Sequence, residues 1–251
     1  MTQNIAGAKT RHSLSDYLRP KTLVMLALGF SSGLPFLLVG NTFGYWLRDE
    51  GTTLSAIGFL SWVGIAYSLK FLWAPILDRT VAPVAGGLGR RRGWMLIAQL
   101  FVCASLVAMG AVGTGHGLAV LGALALVVAF SSSTQDVVID AWRIEIADDH
   151  EELGLLTSVY QFGYRSAMLA TEAVILVVAE HLGWPASYII YGVLMAIGIT
   201  ATLFAHEPRN ADAVLDAKEI RKPLWTPRGF ADAVIGPFIA FFHKFGAFAL
   251  L

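Results

Sequence analysis

The residues best suited to chemistry lie in the stretch from Ser131 to Trp142, which carries an amide and two carboxylates directly after an apolar run. Asp136 and Asp140 are four residues apart, so on a helix they share one face about one turn apart. The apolar run 118–130 belongs to a predicted membrane span, which places both carboxylates at membrane depth. An isolated charge there costs roughly 2.5–3.5 kcal/mol or more, so such residues face a protein interior or a wet cavity.

Two cations are predicted to lie at a similar depth. At about 1.5 Å of rise per residue, Lys70 lies about 7–8 Å, Asp136 about 10 Å and Arg165 about 15 Å from the cytoplasmic ends of their spans. In a hydrocarbon layer of about 30 Å these side chains can meet in the inner half of the bundle. Two interpretations are open: a proton or substrate relay, in which Asp136 titrates and a cation sets its pKa, or a static ion pair. For Asp140, nearer to water, the sequence favours pairing with Arg143.

Further polar side chains within the spans have two interpretations each. Glu172 follows Arg165 by seven residues, on roughly the same helix face and nearer the outside. It is either a second titratable site or a carboxyl kept neutral by desolvation. Gln135 and Asn41 can hydrogen-bond a polar substrate, or they can join neighbouring helices. Three aromatic residues are candidates for stacking on a sugar ring or for ordinary packing: Trp142, Tyr160 and Tyr164.

The composition indicates a membrane protein. The chain is 56% hydrophobic and 14% charged, whereas soluble domains are about 45–50% apolar and about 25% charged. A net charge of zero argues against nucleic acid as a partner. The sequence has no His/Cys cluster with metal-ligand spacing, no nucleotide-binding loop and no nucleophile motif. We therefore expect no metal, no cofactor and no enzyme activity.

The hydropathy pattern predicts an all-α membrane protein with six spans and part of a seventh. We expect a cytoplasmic N-terminal segment (1–21), a six-helix bundle (22–205), a cytoplasmic linker (206–230) and the start of a seventh span (231–251). The six spans are 22–46, 54–75, 94–112, 118–142, 155–179 and 185–205. Pro35 predicts a kink in the first span, where two pairs of small residues, Gly29/Gly33 and Gly40/Gly44, favour close helix contacts. Because the last apolar run has no polar flank, we interpret the chain as a fragment, truncated in its seventh helix.

The loops differ sharply in positive charge, which predicts the orientation. The N-terminal segment and the second, fourth and sixth loops hold fourteen Lys and Arg residues, and the first, third and fifth loops hold one, Arg48. Lys and Arg accumulate on the cytoplasmic side of a membrane protein. The N-terminus is therefore predicted to be cytoplasmic.

The loop between the second and third spans carries an aspartate–arginine pair followed by a cluster of three arginines. Asp78 and Arg79 are followed by Arg90, Arg91 and Arg92, which resembles the Asp-Arg-x-Gly-x-Arg-Arg signature of major facilitator transporters. In those transporters the motif latches the cytoplasmic gate, so the resemblance assigns these five residues to such a gate. The spacing between Asp78-Arg79 and the arginines is longer here than in the usual pattern.

A narrower resemblance covers residues 20–208 and is to the AmpG-type muropeptide permeases. It is carried by these blocks: Leu28-Gly29-Phe30-Ser31-Ser32-Gly33-Leu34-Pro35, residues 66–75, Gly89-Arg90-Arg91-Arg92-Gly93-Trp94, residues 135–142 and Gly163-Tyr164-Arg165. The resemblance implies a major facilitator fold of two six-helix halves in the bacterial inner membrane. It also implies proton-driven import of anhydro-muropeptides, sugar–peptide fragments of the cell wall, for peptidoglycan recycling. Glu172 departs from these permeases, which tend to have a small residue there.

The leading hypothesis is a secondary transporter whose partners are a small sugar–peptide, protons, the lipid bilayer and a C-terminal half outside this sequence. Asp136 is then the coupling or binding carboxylate, with Lys70 and Arg165 as its cations. Because acetyl-CoA transporters belong to the same broader family, another polar substrate is an alternative. A membrane-embedded enzyme acting on lipid-linked sugars and a non-transporting sensor or assembly subunit are the hypotheses from other classes.

Overall fold

The structure, a computed structural model, describes residues 14–208, 234–236, 239, 242–243 and 246, and all regular elements in these ranges are helices. The α-helices are α1 (Leu14–Tyr17), α2 (Pro20–Leu38), α3 (Asn41–Asp49), α4 (Leu54–Leu60), α5 (Ile65–Ser68), α6 (Ala74–Arg79), α7 (Arg90–Val112), α8 (Leu118–Ile146), α9 (His150–Leu169), α10 (Ile175–Leu194) and α11 (Ala196–Phe204). Most of the predicted segment 1–21, nearly all of the linker and most of the seventh span lie outside the described residues.

Five helical stretches among the described residues are long and apolar enough to cross a membrane. They are Pro20–Leu38, Leu54–Leu72, Arg90–Val112, Leu118–Ile146 and His150–Phe204. The last stretch has 55 residues, whereas one crossing needs about 20. It therefore has the length for two crossings.

The 55-residue stretch folds back on itself at Gly183, whose backbone is not helical (φ 81°, ψ 160°). Near the start of the stretch, Glu152 binds Lys21 at the beginning of α2. Just after the break, Trp184 donates a hydrogen bond to Asp49 at the end of α3. The second arm then returns, and α11 packs against α2. The two arms correspond to the predicted fifth and sixth spans, which agrees with the predicted all-α membrane fold.

The first span is interrupted at Gly40, five residues after Pro35, the position of the predicted kink. Pro35 lies inside the continuous helix α2. Gly40 separates α2 from α3 with a backbone conformation outside the helical region (φ −98°, ψ −117°). The Val39 N–H still donates to the Pro35 carbonyl, at 3.2 Å, so the helix continues for one turn past the proline.

The most extensive contact between two described helices is that of α2 with α9, and glycines allow their backbones to approach closely. An added Cβ at Gly29 or Gly33 would overlap the backbone of α9, and one at Gly163 would overlap that of α2. This confirms the first pair of small residues as a close-contact surface. The second predicted pair behaves differently, because a Cβ at Gly44 would meet only a side chain of α4. Gly40 instead forms the non-helical link between α2 and α3.

The second span lies at the edge of the described bundle. Only 6% of its most apolar 18-residue segment is buried inside the protein, compared with 61% of the corresponding segment of α2. Its helix is also irregular, because 3-10 turns at Ser61–Gly64 and Lys70–Leu72 flank α5. Thr53 begins it by accepting a hydrogen bond from the Ala56 N–H at 3.4 Å. Lys70 thus stands on an irregular, peripheral element that faces α8.

Candidate functional site

A polar segment of α8, residues 131–136, is buried in the middle of the bundle. The Gln135 side-chain amide donates hydrogen bonds to the Ser32 hydroxyl at 3.1 Å and to the Ser31 hydroxyl at 3.3 Å, both on α2. The Gln135 Oε1 atom has no hydrogen-bond partner among the described residues. One of the two interpretations of Gln135, a contact that joins neighbouring helices, is therefore present in the structure.

Asp136 lies beside this contact and is only 8% exposed. It interacts electrostatically with Lys70 of the second span and with Asp140 on its own helix, and Ser32 is a further neighbour. Its Oδ1 atom has no hydrogen-bond partner in the described part of the chain. An unsatisfied buried polar atom costs about 1–3 kcal/mol, and more if charged. The arrangement therefore favours a proton, a water molecule or a ligand donor at this oxygen.

Arg165 does not join Asp136 and Lys70 as we expected. Its side chain is exposed on α9, and its described polar contact is to the Met168 sulfur at 4.0 Å. Tyr164, the preceding residue, interacts electrostatically with Asp136 instead. Successive residues of an α-helix point about 100° apart, because each turn has 3.6 residues. Tyr164 is therefore a side chain of α9 that faces Asp136, and Arg165 lies on another side of the same helix.

Asp140 is paired with Arg143, as the sequence favoured. The Arg143 Nη2 atom lies 2.8 Å from Asp140 Oδ1. The guanidinium group also lies over the Tyr160 ring, 4.8 Å from its centroid, in a cation–π contact. This cluster links α8 to α9 one helical turn from Asp136.

Glu172 and Asn41 lie together at the opposite end of the bundle. The Asn41 amide donates to the Glu172 carboxylate at 3.3 Å, and both side chains are exposed. Glu172 belongs to a π-helical turn, Ala170–Val174, an irregularity that occurs frequently at functional sites. The Thr42 and Tyr191 hydroxyls donate to two carbonyl groups of this turn at 2.7 and 2.6 Å. The π-helical turn is thus fixed by side chains from α3 and α10.

The arginines of the predicted cytoplasmic gate form a compact cluster. Arg91 Nη1 lies 2.6 Å from Asp78 Oδ1, and the same guanidinium group forms an ion pair with Glu145. Arg90 donates to the Asp78 main-chain carbonyl and lies 3.6 Å from Glu145. Both arginine side chains are only 5% exposed. The cluster joins the ends of α6, α7 and α8, and Arg79 occupies the last turn of α6.

Glu207 completes this cluster, and sequence reasoning missed it. Its carboxylate accepts hydrogen bonds from the backbone N–H groups of Arg91 and Arg92, at 2.8 and 3.1 Å. A carboxylate at a helix N-terminus is favourable because it satisfies free N–H groups and complements the helix dipole. The Arg92 guanidinium donates to the carbonyls of Thr202 and Leu203 at the end of α11. The start of α7 and the end of α11 are therefore clamped together.

Aromatic rings line the face between α2, α5 and α9. Phe36 meets the Tyr67 ring edge-on at 5.1 Å between centroids, and the Tyr164 ring at 6.5 Å. Tyr160 continues the row, 6.1 Å from Tyr164. Trp142, a further candidate for stacking, is buried and donates its indole N–H to a main-chain carbonyl. The sequence analysis did not single out Tyr67 and Phe36, because an aromatic residue in an apolar span is typical of ordinary packing.

A comparison with protein families matches residues 22–251 to the family described as the Major Facilitator Superfamily. The chain belongs to this superfamily. Membership agrees with the all-helical architecture and with the predicted fold class. This major facilitator protein is therefore a multi-pass membrane protein of a transporter family.

Individual relatives narrow the resemblance. An Anhydromuropeptide permease of Escherichia coli (strain K12) is 38% identical over 242 residues, covering 94% of this chain and 46% of the permease. An Uncharacterized protein of Haemophilus influenzae is 34% identical, covering 94% and 56% of the two chains. A Putative transporter AmpG 4 of Rickettsia felis is 30% identical, covering 89% and 53%. The predicted resemblance to AmpG-type permeases is confirmed, and the chain spans about half the length of the curated relatives it matches.

Proposed function

We propose that this major facilitator protein is a proton-driven importer of anhydro-muropeptides, with Asp136 as the coupling carboxylate. The similarity to a permease with that substrate in its name supports the substrate class. The observation that carries the mechanism is the buried Asp136, whose Oδ1 is unpartnered within the described residues while Lys70 lies close enough to interact. A buried carboxylate that has one neighbouring cation and one oxygen without a hydrogen-bond partner can take up a proton there, which frees the cation to bind a ligand.

The charge balance at Asp136 suggests how the two movements are coupled. While Asp136 is ionised, it neutralises Lys70. Once Asp136 takes up a proton, Lys70 is left with an uncompensated positive charge, which favours binding of a substrate carboxylate. Movement of the two six-helix halves about this buried site then exposes both to the other side, where proton and substrate leave. The proton gradient thus drives import of an anionic sugar–peptide.

The other predicted residues have supporting roles in this proposal. Gln135 holds α8 against α2, and Asp140 fixes α8 to α9 through Arg143. Arg165, exposed on α9, is available to the substrate or to a further part of the transporter. Asn41 and Glu172 lie nearer the outer end, where the π-helical turn brings them together.

The proposal also includes the cytoplasmic gate, the orientation of the chain and the membrane in which it resides. The cluster of Asp78, Arg79, Arg90, Arg91 and Arg92 closes the cytoplasmic side, and the N-terminus is cytoplasmic. The protein resides in the bacterial inner membrane and returns cell-wall fragments to the cell for peptidoglycan recycling.

Uptake by the purified, full-length protein in proteoliposomes tests this function. Radiolabelled anhydro-muropeptide is added outside, with or without an inward proton gradient, and the internal label is then recovered and identified. We expect accumulation only with the gradient and recovery of the substrate chemically unchanged. Uptake that is indifferent to the gradient would contradict proton coupling, and a chemically altered product would favour the membrane-embedded enzyme.

A further inference from the structure

A cavity of about 810 Å³ opens between α2 and α3 on one side and α4 and α5 on the other. Its volume lies within the range of about 300–1,000 Å³ that is typical of small-molecule sites. The cavity lies toward the Asn41 end of the bundle, away from the Arg91 cluster. Among the described residues that line it, Arg48 is the only charged one.

Arg48 stands at this cavity without an ion-pair partner in the described part of the chain. The two acidic residues that follow it are directed elsewhere. Asp49 accepts a hydrogen bond from the Trp184 indole at 2.8 Å, and Glu50 accepts one from the Thr114 hydroxyl at 3.1 Å. The five N–H groups of the Arg48 guanidinium are therefore open to an acceptor, and a planar carboxylate matches their fork geometry.

The walls of the cavity are suited to a ring with polar edges. Phe36 and Tyr67 both line it and contact each other edge-to-face. Asn41 adds an amide, and Tyr45 adds a further ring. Binding sites of this kind combine apolar and aromatic walls with a few placed polar groups. Together with Arg48, this lining fits a sugar ring that carries, or is joined to, a carboxylate.

Tyr67 connects the cavity to the buried carboxylate. Its hydroxyl is buried and lies beside the buried Ser132 hydroxyl of α8. Tyr67 also interacts electrostatically with Asp136. Tyr67 therefore belongs to the cavity lining and is also an electrostatic neighbour of Asp136.

We infer that this cavity is an entry site for anionic sugar–peptides, in which Arg48 binds a ligand carboxylate and the Phe36–Tyr67 wall supports the sugar. The inference rests on the proposed transport function, because that function supplies the ligand class. The inference adds a binding site separate from Asp136, and it assigns to Arg48 the recognition of a negatively charged ligand. In this inference Tyr67 stands between the entry site and the coupling carboxylate Asp136.

Equilibrium binding to the full-length protein in nanodiscs tests the role of Arg48. The probes are labelled anhydro-muropeptide with free carboxylates and the same compound with its carboxylates amidated. Loss of a charge-assisted contact in Arg48→Gln weakens binding of the free acid about tenfold and leaves the amidated ligand unchanged. Arg48→Lys keeps the charge and restores most of the affinity. Arg19→Gln is the matched control, because Arg19 is an exposed cation at the other end of α2 that pairs with Asp16.

A second pair of variants tests the cavity without touching a charge. Gly64 lines the cavity, has helical dihedral angles (φ −60°, ψ −19°), and an added Cβ there meets no atom within 4 Å. Gly64→Phe therefore adds a large ring at the cavity wall without backbone strain, and we expect it to weaken binding of both ligands about tenfold or more. Gly58→Phe is the control, because Gly58 is equally open but does not line the cavity.

Three outcomes decide between the entry site and the transport function. If the Arg48→Gln variant binds the free acid as tightly as the wild type, or loses affinity equally for both ligands, the assignment of the entry site is wrong. Transport by the wild type would still support the proposed function. If the wild type binds with this pattern but does not transport, the entry site stands and the proposed function is wrong. If the wild type neither binds nor transports the muropeptide, both are overturned.

Discussion

The Gln135 side-chain nitrogen lies 3.1 Å from the Ser32 hydroxyl, inside a bundle where both residues are fully buried. This contact joins α8 to α2 directly beside Asp136. Replacing Gln135 with Leu removes it and leaves the serine hydroxyl without its donor. Hydrogen bonds between membrane helices contribute roughly 0.6 kcal/mol on average and up to about 1.7 kcal/mol. We expect Gln135→Leu to lower the free energy of unfolding by an amount in that range, measured by denaturant unfolding in detergent.

Gln161 on α9 supplies the control for this measurement, because its amide is exposed. Gln161→Leu should leave the free energy of unfolding nearly unchanged. An unfolding free energy in Gln135→Leu equal to that of the wild type would show that the contact does not hold α8 in place.

The close approach of α2 and α9 makes a steric prediction. A Cβ at Gly33 would overlap the backbone of α9, which cannot move aside as a flexible side chain can. Overpacking typically costs 1–3 kcal/mol, so we expect Gly33→Leu to destabilise the protein by about 3 kcal/mol. The yield of monodisperse protein in size-exclusion chromatography and the thermal midpoint should both fall. Gly154→Leu, on the same helix pair but in open space, should have little effect; equal losses in both variants would contradict the packing seen here.

The Arg91–Glu145 pair predicts an energetic coupling between α7 and α8. Arg91 is 5% exposed and Glu145 is 21% exposed at the side chain. Because removing one partner leaves a poorly solvated charge, a double-mutant cycle with Arg91→Gln and Glu145→Gln should give a coupling of about 1–3 kcal/mol in unfolding free energy. The same cycle on the Arg19–Asp16 pair, in which the Arg19 side chain is 62% exposed, should give about 1 kcal/mol or less. Similar couplings in the two cycles would mean that the cluster is only a surface ion pair.

Glu207 predicts a local effect on hydrogen exchange. Its carboxylate accepts from the Arg91 and Arg92 amides, so Glu207→Ala should speed exchange of those two amides and cost about 1 kcal/mol. Asp149→Ala is the matched control, because Asp149 caps α9 by accepting from the Glu152 amide at 2.7 Å. That variant should affect only the start of α9. Unchanged exchange at Arg91 and Arg92 in Glu207→Ala would show that the clamp is not populated.

Local patterns in the sequence were sufficient for several of these features. Asp140 and Arg143 are three residues apart on one helix, so their pairing follows from helix geometry alone. The pair Gly29/Gly33 also predicts a close helix contact without knowledge of the partner helix. The apolar runs predicted the spans, because membrane thickness sets their length.

Other features depend on how distant segments meet. Glu207 reaches the start of α7 across 116 residues of sequence, and no local pattern specifies that contact. Arg165 and Tyr164 are neighbours in sequence, but their side chains differ by about 100° around α9, an angle that depth estimates do not address. The break at Gly40 is followed by α3, whose Thr42 hydroxyl donates to the π-helical turn 129 residues away in sequence. Such positions are determined by packing between helices.

Proton movement in an Asp136→Asn variant tests the coupling claim most directly. Asn keeps the shape of the side chain but cannot release a proton, so it mimics the protonated carboxyl. We predict that addition of anhydro-muropeptide acidifies the interior of wild-type proteoliposomes, and that Asp136→Asn abolishes this acidification while exchange of labelled for unlabelled substrate persists. Asp148→Asn, which alters a carboxylate that is 88% exposed, should behave as the wild type. Substrate-induced acidification that survives in Asp136→Asn would contradict the assignment of Asp136 as the coupling residue.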